Sequence, residues 1–80
     1  MEVFCRSSKT THRFAVGTKA GFAVSVINRK LNHKLPYALH IEAVKDGELP
    51  TAFGNDTVLV DYDDGWKLVT FIESDMPEKR

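Results

Sequence analysis

Apolar residues in this chain recur mainly at every second position, which is the spacing of a β-strand with one buried face. Residues 37–44 alternate most clearly, and residues 2–7 and 12–16 alternate over shorter runs. Polar and glycine-containing stretches separate these runs and are typical of turns. The residues that share one face of the strand at 37–44 are Tyr37, Leu39, Ile41 and Ala43. The pattern therefore predicts a chain that is mostly β.

A second β-rich region, residues 58–73, contains two apolar runs on either side of Asp63-Asp64-Gly65. Aspartate bonds readily to its own backbone and glycine accepts a positive φ, so this sequence favours a hairpin loop. We therefore predict a β-hairpin over residues 58–73. Its predicted pairs on one face are Tyr62 with Trp66, Val60 with Leu68, and Val58 with Thr70. Both faces carry large apolar groups, which indicates a curled or closed sheet.

Two periodicities overlap in residues 22–35 and predict different structures. Phe22, Val24 and Val26 alternate as in a strand, and aromatic and β-branched residues favour that conformation. The residues that instead recur with a helical period are Val24, Ile27, Leu31 and Leu35. Pro36 would end such a helix. The strand is the preferred interpretation, and the helix remains the alternative.

These segments together predict a single small antiparallel sheet of five or six strands, curled into an SH3-like or similar barrel or roll. In this version, residues 22–29 form a strand that ends near Arg29. The alternative is an α+β fold of order ββαβββ, with one helix at about residues 19–35 laid across the sheet. We expect one globular domain over residues 1–75 and a frayed C-terminal tail over residues 76–80.

The composition favours a cytoplasmic protein. Cys5 is the only cysteine, so the chain can form no internal disulfide, which favours a reducing compartment. The longest apolar run, residues 20–27, is much shorter than the roughly 20 residues that cross a bilayer. The first residues also lack the apolar core of a signal peptide. We therefore expect no contact with a membrane.

Charge is the most informative feature, because a formal net charge of zero conceals two oppositely charged halves. Residues 1–36 hold seven basic side chains and one acidic side chain, a net charge of +6. Residues 37–80 hold four basic and ten acidic side chains, a net charge of −6. Such segregation points to a charged partner.

Sequence motifs for catalysis or metal binding are missing. Asp61, Asp63 and Asp64 do not have the ligand spacing of a calcium loop. The three histidines and Cys5 do not fall at the short spacings of zinc sites. No phosphate-binding loop, dinucleotide fingerprint or nucleophile elbow is present. We therefore expect no catalytic residue, no metal, no cofactor and no enzymatic activity.

The charge asymmetry supports two functional hypotheses. The first is a protein-interaction module whose partner is another protein, with a basic surface, or a second copy of the chain in a homodimer. Its binding residues, which we call the acidic tip, are Asp61, Tyr62, Asp63, Asp64 and Trp66. The second is a single-stranded nucleic-acid-binding protein that combines basic residues with phenylalanines of the N-terminal half. Its basic residues are Arg6, Lys9, Arg13, Lys19, Arg29, Lys30 and Lys34.

Overall fold

The computed structural model of the protein describes residues 1–31 and 36–72. The elements follow in the order ββαβββ. The strands are β1 (Glu2–Cys5), β2 (Thr10–Arg13), β3 (Ala38–Val44), β4 (Thr51–Phe53) and β5 (Lys67–Ile72), and the helix is α1 (Ala20–Lys30). The fold is thus β-rich with one helix, as the α+β alternative predicts. The predicted tail at 76–80 lies outside the described residues.

The five strands form one mixed sheet in the order β2-β1-β5-β3-β4. β5 lies at the centre, parallel to β1 and antiparallel to β3. β2 and β4 are edge strands, so the described part of the sheet is open and does not close into a barrel. The prediction of an antiparallel barrel is therefore not met. The physical reason is that α1, and not a second sheet, covers the apolar face of the strands.

The predicted strand at residues 22–29 is wrong, because this segment is the helix α1. The buried side chains of α1 recur with a helical period, at Ala20, Ala23, Val24 and Ile27. They pack against the sheet, and that burial outweighs the β propensity of the two valines, since tertiary contacts readily override local preference. The helix is shorter than the predicted span of 19–35, and residues 32–35 lie outside the described part of the chain.

The N-terminus of α1 is held by backbone groups of a neighbouring loop. Lys19 occupies the N-cap position without a capping side-chain hydrogen bond. The N–H of Ala20 donates to Thr57 O at 2.8 Å, and the N–H of Gly21 donates to Asn55 O at 2.9 Å. These bonds satisfy two of the amides that a helix N-terminus leaves free. A Cβ on Gly21 would lie 2.8 Å from Asn55 O, so this close approach requires glycine.

The predicted hairpin at residues 58–73 is also wrong, although its turn is present. The N–H of Trp66 donates to Asp63 O at 3.0 Å. The residues with positive φ in this turn are Asp63, Asp64 and Gly65. However, β5 pairs with β1 and β3, and Val58 forms an isolated bridge with Lys19. The apolar groups on both faces of residues 67–72 mark an interior strand of an open sheet.

The other strand predictions are met with shifted bounds. β1 falls within the predicted run at 2–7, whereas β2 shares only residues 12–13 with the predicted run at 12–16 and leaves Phe14 and Val16 outside the strand. β3 matches the run at 37–44, but the register shifts between Ala38 and His40. Because of this irregularity, Ala38 is buried with Ile41, while Leu39 is exposed.

The core lies between α1 and one face of the sheet. Its largest fully buried side chains are Val3, Cys5, Ile27, Ile41 and Thr70. Cys5 is a buried thiol within this cluster. The hydroxyl of Thr70 accepts the backbone N–H of Arg6 at 3.0 Å, which joins the end of β1 to β5. In the part of the chain that the structure describes, no helix is long and apolar enough to cross a membrane.

Candidate functional site

The strand directions bring the acidic turns to one end of the sheet. β1 and β5 are parallel and begin at this end, while β3 runs antiparallel to β5 and finishes there, with Val44 opposite Lys67. The turn after β3 and the turn before β5 are therefore neighbours. A Cβ on Gly65 would lie 3.7 Å from the Lys45 side chain, which confirms that the two turns touch.

We call this region the acidic end of the sheet. Its carboxylates are Glu2, Asp46, Glu48, Asp61, Asp63 and Asp64, and its cationic side chains are Arg13, Lys45 and Lys67. Six carboxylates and three cations give a net charge of −3. The acidic tip predicted from the sequence is part of this surface. Its three aspartates are exposed, so their negative charge faces solvent.

A groove of about 740 Å³ opens at the acidic end. Its apolar lining residues include Phe4, Val69 and Trp66. Phe4 and Val69 are paired across β1 and β5, on the sheet face opposite α1. The remaining lining residues are Met1, Glu2, Thr11, Arg13, Asp61, Lys67 and Leu68. The groove thus combines an apolar floor with charged groups of both signs around it.

Trp66 forms a wall of this groove and is held by its neighbours. The ring of Tyr62 meets it edge-on, with centroids 5.8 Å apart, and Tyr62 in turn stacks on Phe53. Lys45 Nζ lies 5.9 Å from the Trp66 ring centroid. Asp61 Oδ1 accepts the backbone N–H of Asp63 at 3.2 Å, which fixes the acidic tip beside the ring. Tyr62 and Trp66 thus meet without the predicted hairpin ladder.

Carboxylates already contact the arginines on the sheet face opposite α1. Arg13 Nε lies 3.3 Å from Glu2 Oε2, and Arg6 Nη2 lies 3.7 Å from Glu42 Oε2. The ring of His40 stacks on that of Phe71, with centroids 4.7 Å apart. Each of these two arginines is therefore paired with a nearby glutamate.

A second group of segments meets at the opposite end of the strands. The Asn28 side chain donates to Ala38 O at 3.0 Å and accepts the Ala38 N–H at 2.8 Å, so the end of α1 is tied to the start of β3. Ser7 Oγ donates to Pro36 O at 2.6 Å, which places the turn between β1 and β2 beside the same segment. These bonds bring Lys9, Arg29, Lys30 and Tyr37 to one end of the molecule.

The structure assembles only part of the predicted nucleic-acid-binding set. Arg6, Lys9, Arg29 and Lys30 lie at or near this end. Arg13 lies at the acidic end, Lys19 lies at the start of α1, and Lys34 lies outside the described residues. The phenylalanines do not share a surface, because Phe4 lines the groove, Phe14 packs against the core and Phe22 is exposed on α1.

Several residues of these surfaces escaped the sequence analysis. Phe4 and Val69 meet through the parallel pairing of β1 and β5, for which no local pattern exists. Asn28 follows the last buried residue of α1, and its role depends on the contact with Ala38. The alternation of residues 37–44 placed Tyr37 at the start of a strand, but its position beside the end of α1 follows only from the contact between Asn28 and Ala38. Among residues 1–31 and 36–72, no cluster of three metal-binding side chains occurs.

Comparison with known proteins identified no relative of this chain. No family model matches the chain, and neither a curated protein nor a solved structure matches it significantly. The functional conclusions below therefore depend on the residues and their geometry.

Proposed function

We propose that this protein is a small, non-enzymatic protein-interaction module whose acidic end binds a basic segment of another protein. The observation that carries the proposal is the groove, which places the apolar surface of Phe4, Val69 and Trp66 beside the carboxylates of Glu2 and Asp61. An apolar centre surrounded by polar and charged groups is the usual composition of a protein interface.

The surplus of carboxylates at the acidic end, six against three cationic side chains, favours a basic partner over an acidic one. Arg13 is engaged by Glu2, and no described cation forms an ion pair with Asp61, Asp63 or Asp64. A lysine or arginine of a partner would gain from these carboxylates and from the Trp66 ring, because cations bind favourably over aromatic faces. Lys45 already occupies such a position within the chain, at 5.9 Å from the ring centroid.

Phe4 and Trp66 line the groove and would supply its aromatic contact area, with Tyr62 packed against Trp66 beside it. Aromatic residues dominate the binding energy of many interfaces, since they bury a large surface with few rotatable bonds. Tyr62 is 43% exposed, and Val60 is 46% exposed on the same stretch of chain. A partner that extends from the groove onto this stretch would also remove these two apolar side chains from water.

The fluorescence of Trp66, the only tryptophan, tests this proposal directly. A short peptide of alternating arginine and valine is titrated into the protein at low and high salt. We expect a change in Trp66 emission that saturates at low salt and weakens as salt rises. Asp61→Asn should weaken binding by about threefold, the effect of one exposed charge.

Asp56→Asn is the matched control, because Asp56 is an exposed carboxylate in the loop beside the start of α1, away from the groove. This variant should bind the peptide as the unmodified protein does. Equal losses in the two variants, or a Trp66 signal that does not respond to the peptide, would contradict the proposal.

A further inference from the structure

The outer face of α1 and the end of the molecule next to it carry cations that form no ion pair with any residue the structure describes. Lys9, Lys19, Arg29 and Lys30 are exposed, and none of them forms an ion pair within the part of the chain that the structure describes. The helix itself contains no acidic residue. This arrangement contrasts with Arg6 and Arg13, each of which faces a glutamate.

Two exposed aromatic side chains lie near opposite ends of α1. Phe22 is 59% exposed on α1, and Tyr37 is 56% exposed beside the end of that helix. Phe22 and Arg29 are seven positions apart, and Phe22 and Lys30 are eight, so all three fall along one stripe of the helix. Neither aromatic ring is needed for the core, since both are mostly in contact with solvent.

We propose that this basic surface, formed by Lys9, Lys19, Phe22, Arg29, Lys30 and Tyr37, binds single-stranded nucleic acid. Phosphates contact the four cations, and bases stack on the two rings, which is the general mode of binding without sequence preference. This site is separate from the groove at the acidic end and goes beyond the proposed function. It also differs from the predicted set, because Arg13 and Phe4 have no part in it.

The aromatic residues favour nucleic acid over an acidic protein. Cations alone would suit either partner, but exposed rings between cations provide stacking surfaces that every base can use. The dimensions agree with a short single strand. The 11 residues of α1 extend over about 16 Å, which corresponds to roughly five nucleotides at the stacked spacing of one strand.

The hydrogen bonds between α1 and β3 make this surface rigid. Asn28 is adjacent to Arg29 and binds both backbone groups of Ala38, which is itself adjacent to Tyr37. The backbone positions of Arg29 and Tyr37 are thus held near each other before any ligand binds. A ligand that needs both would lose less conformational entropy on binding.

Fluorescence anisotropy of a labelled short oligothymidine measures binding to the protein at several salt concentrations. If all four cations neutralise a phosphate, the logarithm of the affinity should fall against the logarithm of salt with a slope of about −3. The double variant Arg29→Ala/Lys30→Ala should reduce that slope by about 1.4 and weaken binding at low salt.

Tyr37→Leu should weaken binding by roughly tenfold through the loss of stacking, with an unchanged salt slope. The control is Lys45→Ala/Lys67→Ala, which removes the same charge from the acidic end and should leave oligothymidine binding unchanged. Far-UV circular dichroism verifies that each variant is folded.

Three results would overturn the inference. Oligothymidine could fail to bind at low salt, or the control pair could lose as much affinity as the Arg29 and Lys30 pair. The third is tighter binding of an oligoglutamate peptide than of oligothymidine, with sensitivity to Arg29→Ala/Lys30→Ala, which would identify an acidic protein as the ligand of this surface.

Discussion

Replacing Asn28 with alanine should destabilise the protein strongly, although Asn28 is only half-buried. Its side chain makes two hydrogen bonds to the backbone of Ala38, at 3.0 and 2.8 Å, and Ala38 is 4% exposed. The alanine variant leaves the N–H and C=O of Ala38 without these partners. Each unpaired buried group costs about 1–3 kcal/mol, so we expect a total loss of about 3 kcal/mol.

For a domain of this size that loss should lower the melting temperature by roughly 15 °C. Urea denaturation, followed by circular dichroism and by Trp66 fluorescence, measures the loss in the free energy of unfolding. The stability of Asn28→Asp should lie between that of the unmodified protein and that of Asn28→Ala, because the carboxylate still accepts the Ala38 N–H. The control is Ser25→Ala, on the exposed face of the same helix. If Asn28→Ala is no more destabilised than this control, the interpretation of the contact is wrong.

Two further substitutions test how the helix and the central strand are held. Gly21→Ala should lower the free energy of unfolding by about 1–3 kcal/mol, since its Cβ would lie 2.8 Å from Asn55 O, a clash that exceeds the helix-propensity gain of about 1 kcal/mol. Chemical denaturation measures this, and a stabilised variant would refute it. Thr70→Val should cost about 1–2 kcal/mol, because the Arg6 N–H loses its acceptor. An unchanged urea midpoint would show that this bond contributes little.

The helix illustrates why the local pattern was insufficient to predict the fold. Phe22, Val24 and Val26 favour a strand by type, and a helical period is visible in the same segment, at Val24, Ile27 and Leu31. The choice depends on whether Ala20, Ala23 and Ile27 can be buried together, which only the sheet beneath them determines. Propensity is a weak signal in comparison with such burial.

The hairpin shows a different limit. The turn at Asp63-Asp64-Gly65 and the strand after it are both present, so the local chemistry was interpreted correctly. The partners of that strand are β1 and β3, which lie far away in sequence. Pairing between distant strands leaves no local pattern, so β5 could be predicted as a strand but not as the centre of the sheet.

The candidate surfaces were likewise predictable from the sequence only in part. Charge counts separate a basic half from an acidic half, and the acidic tip lies at the groove beside Trp66, which the sequence analysis also selected. The contribution of Phe4 required the parallel pairing of β1 with β5. Lys9 joins Arg29 because of the contact between Ser7 and Pro36, which is likewise non-local.

The two charged surfaces lie at different places on the molecule, and we propose that they bind different ligands. Amide chemical shifts of one isotopically labelled sample, titrated separately with the arginine-valine peptide and with oligothymidine, test it most directly. We expect the peptide to shift Asp61, Asp63 and Trp66, and oligothymidine to shift a separate set around Arg29, Lys30 and Tyr37. Shifts of the same residues with both ligands, or with neither, would contradict the account.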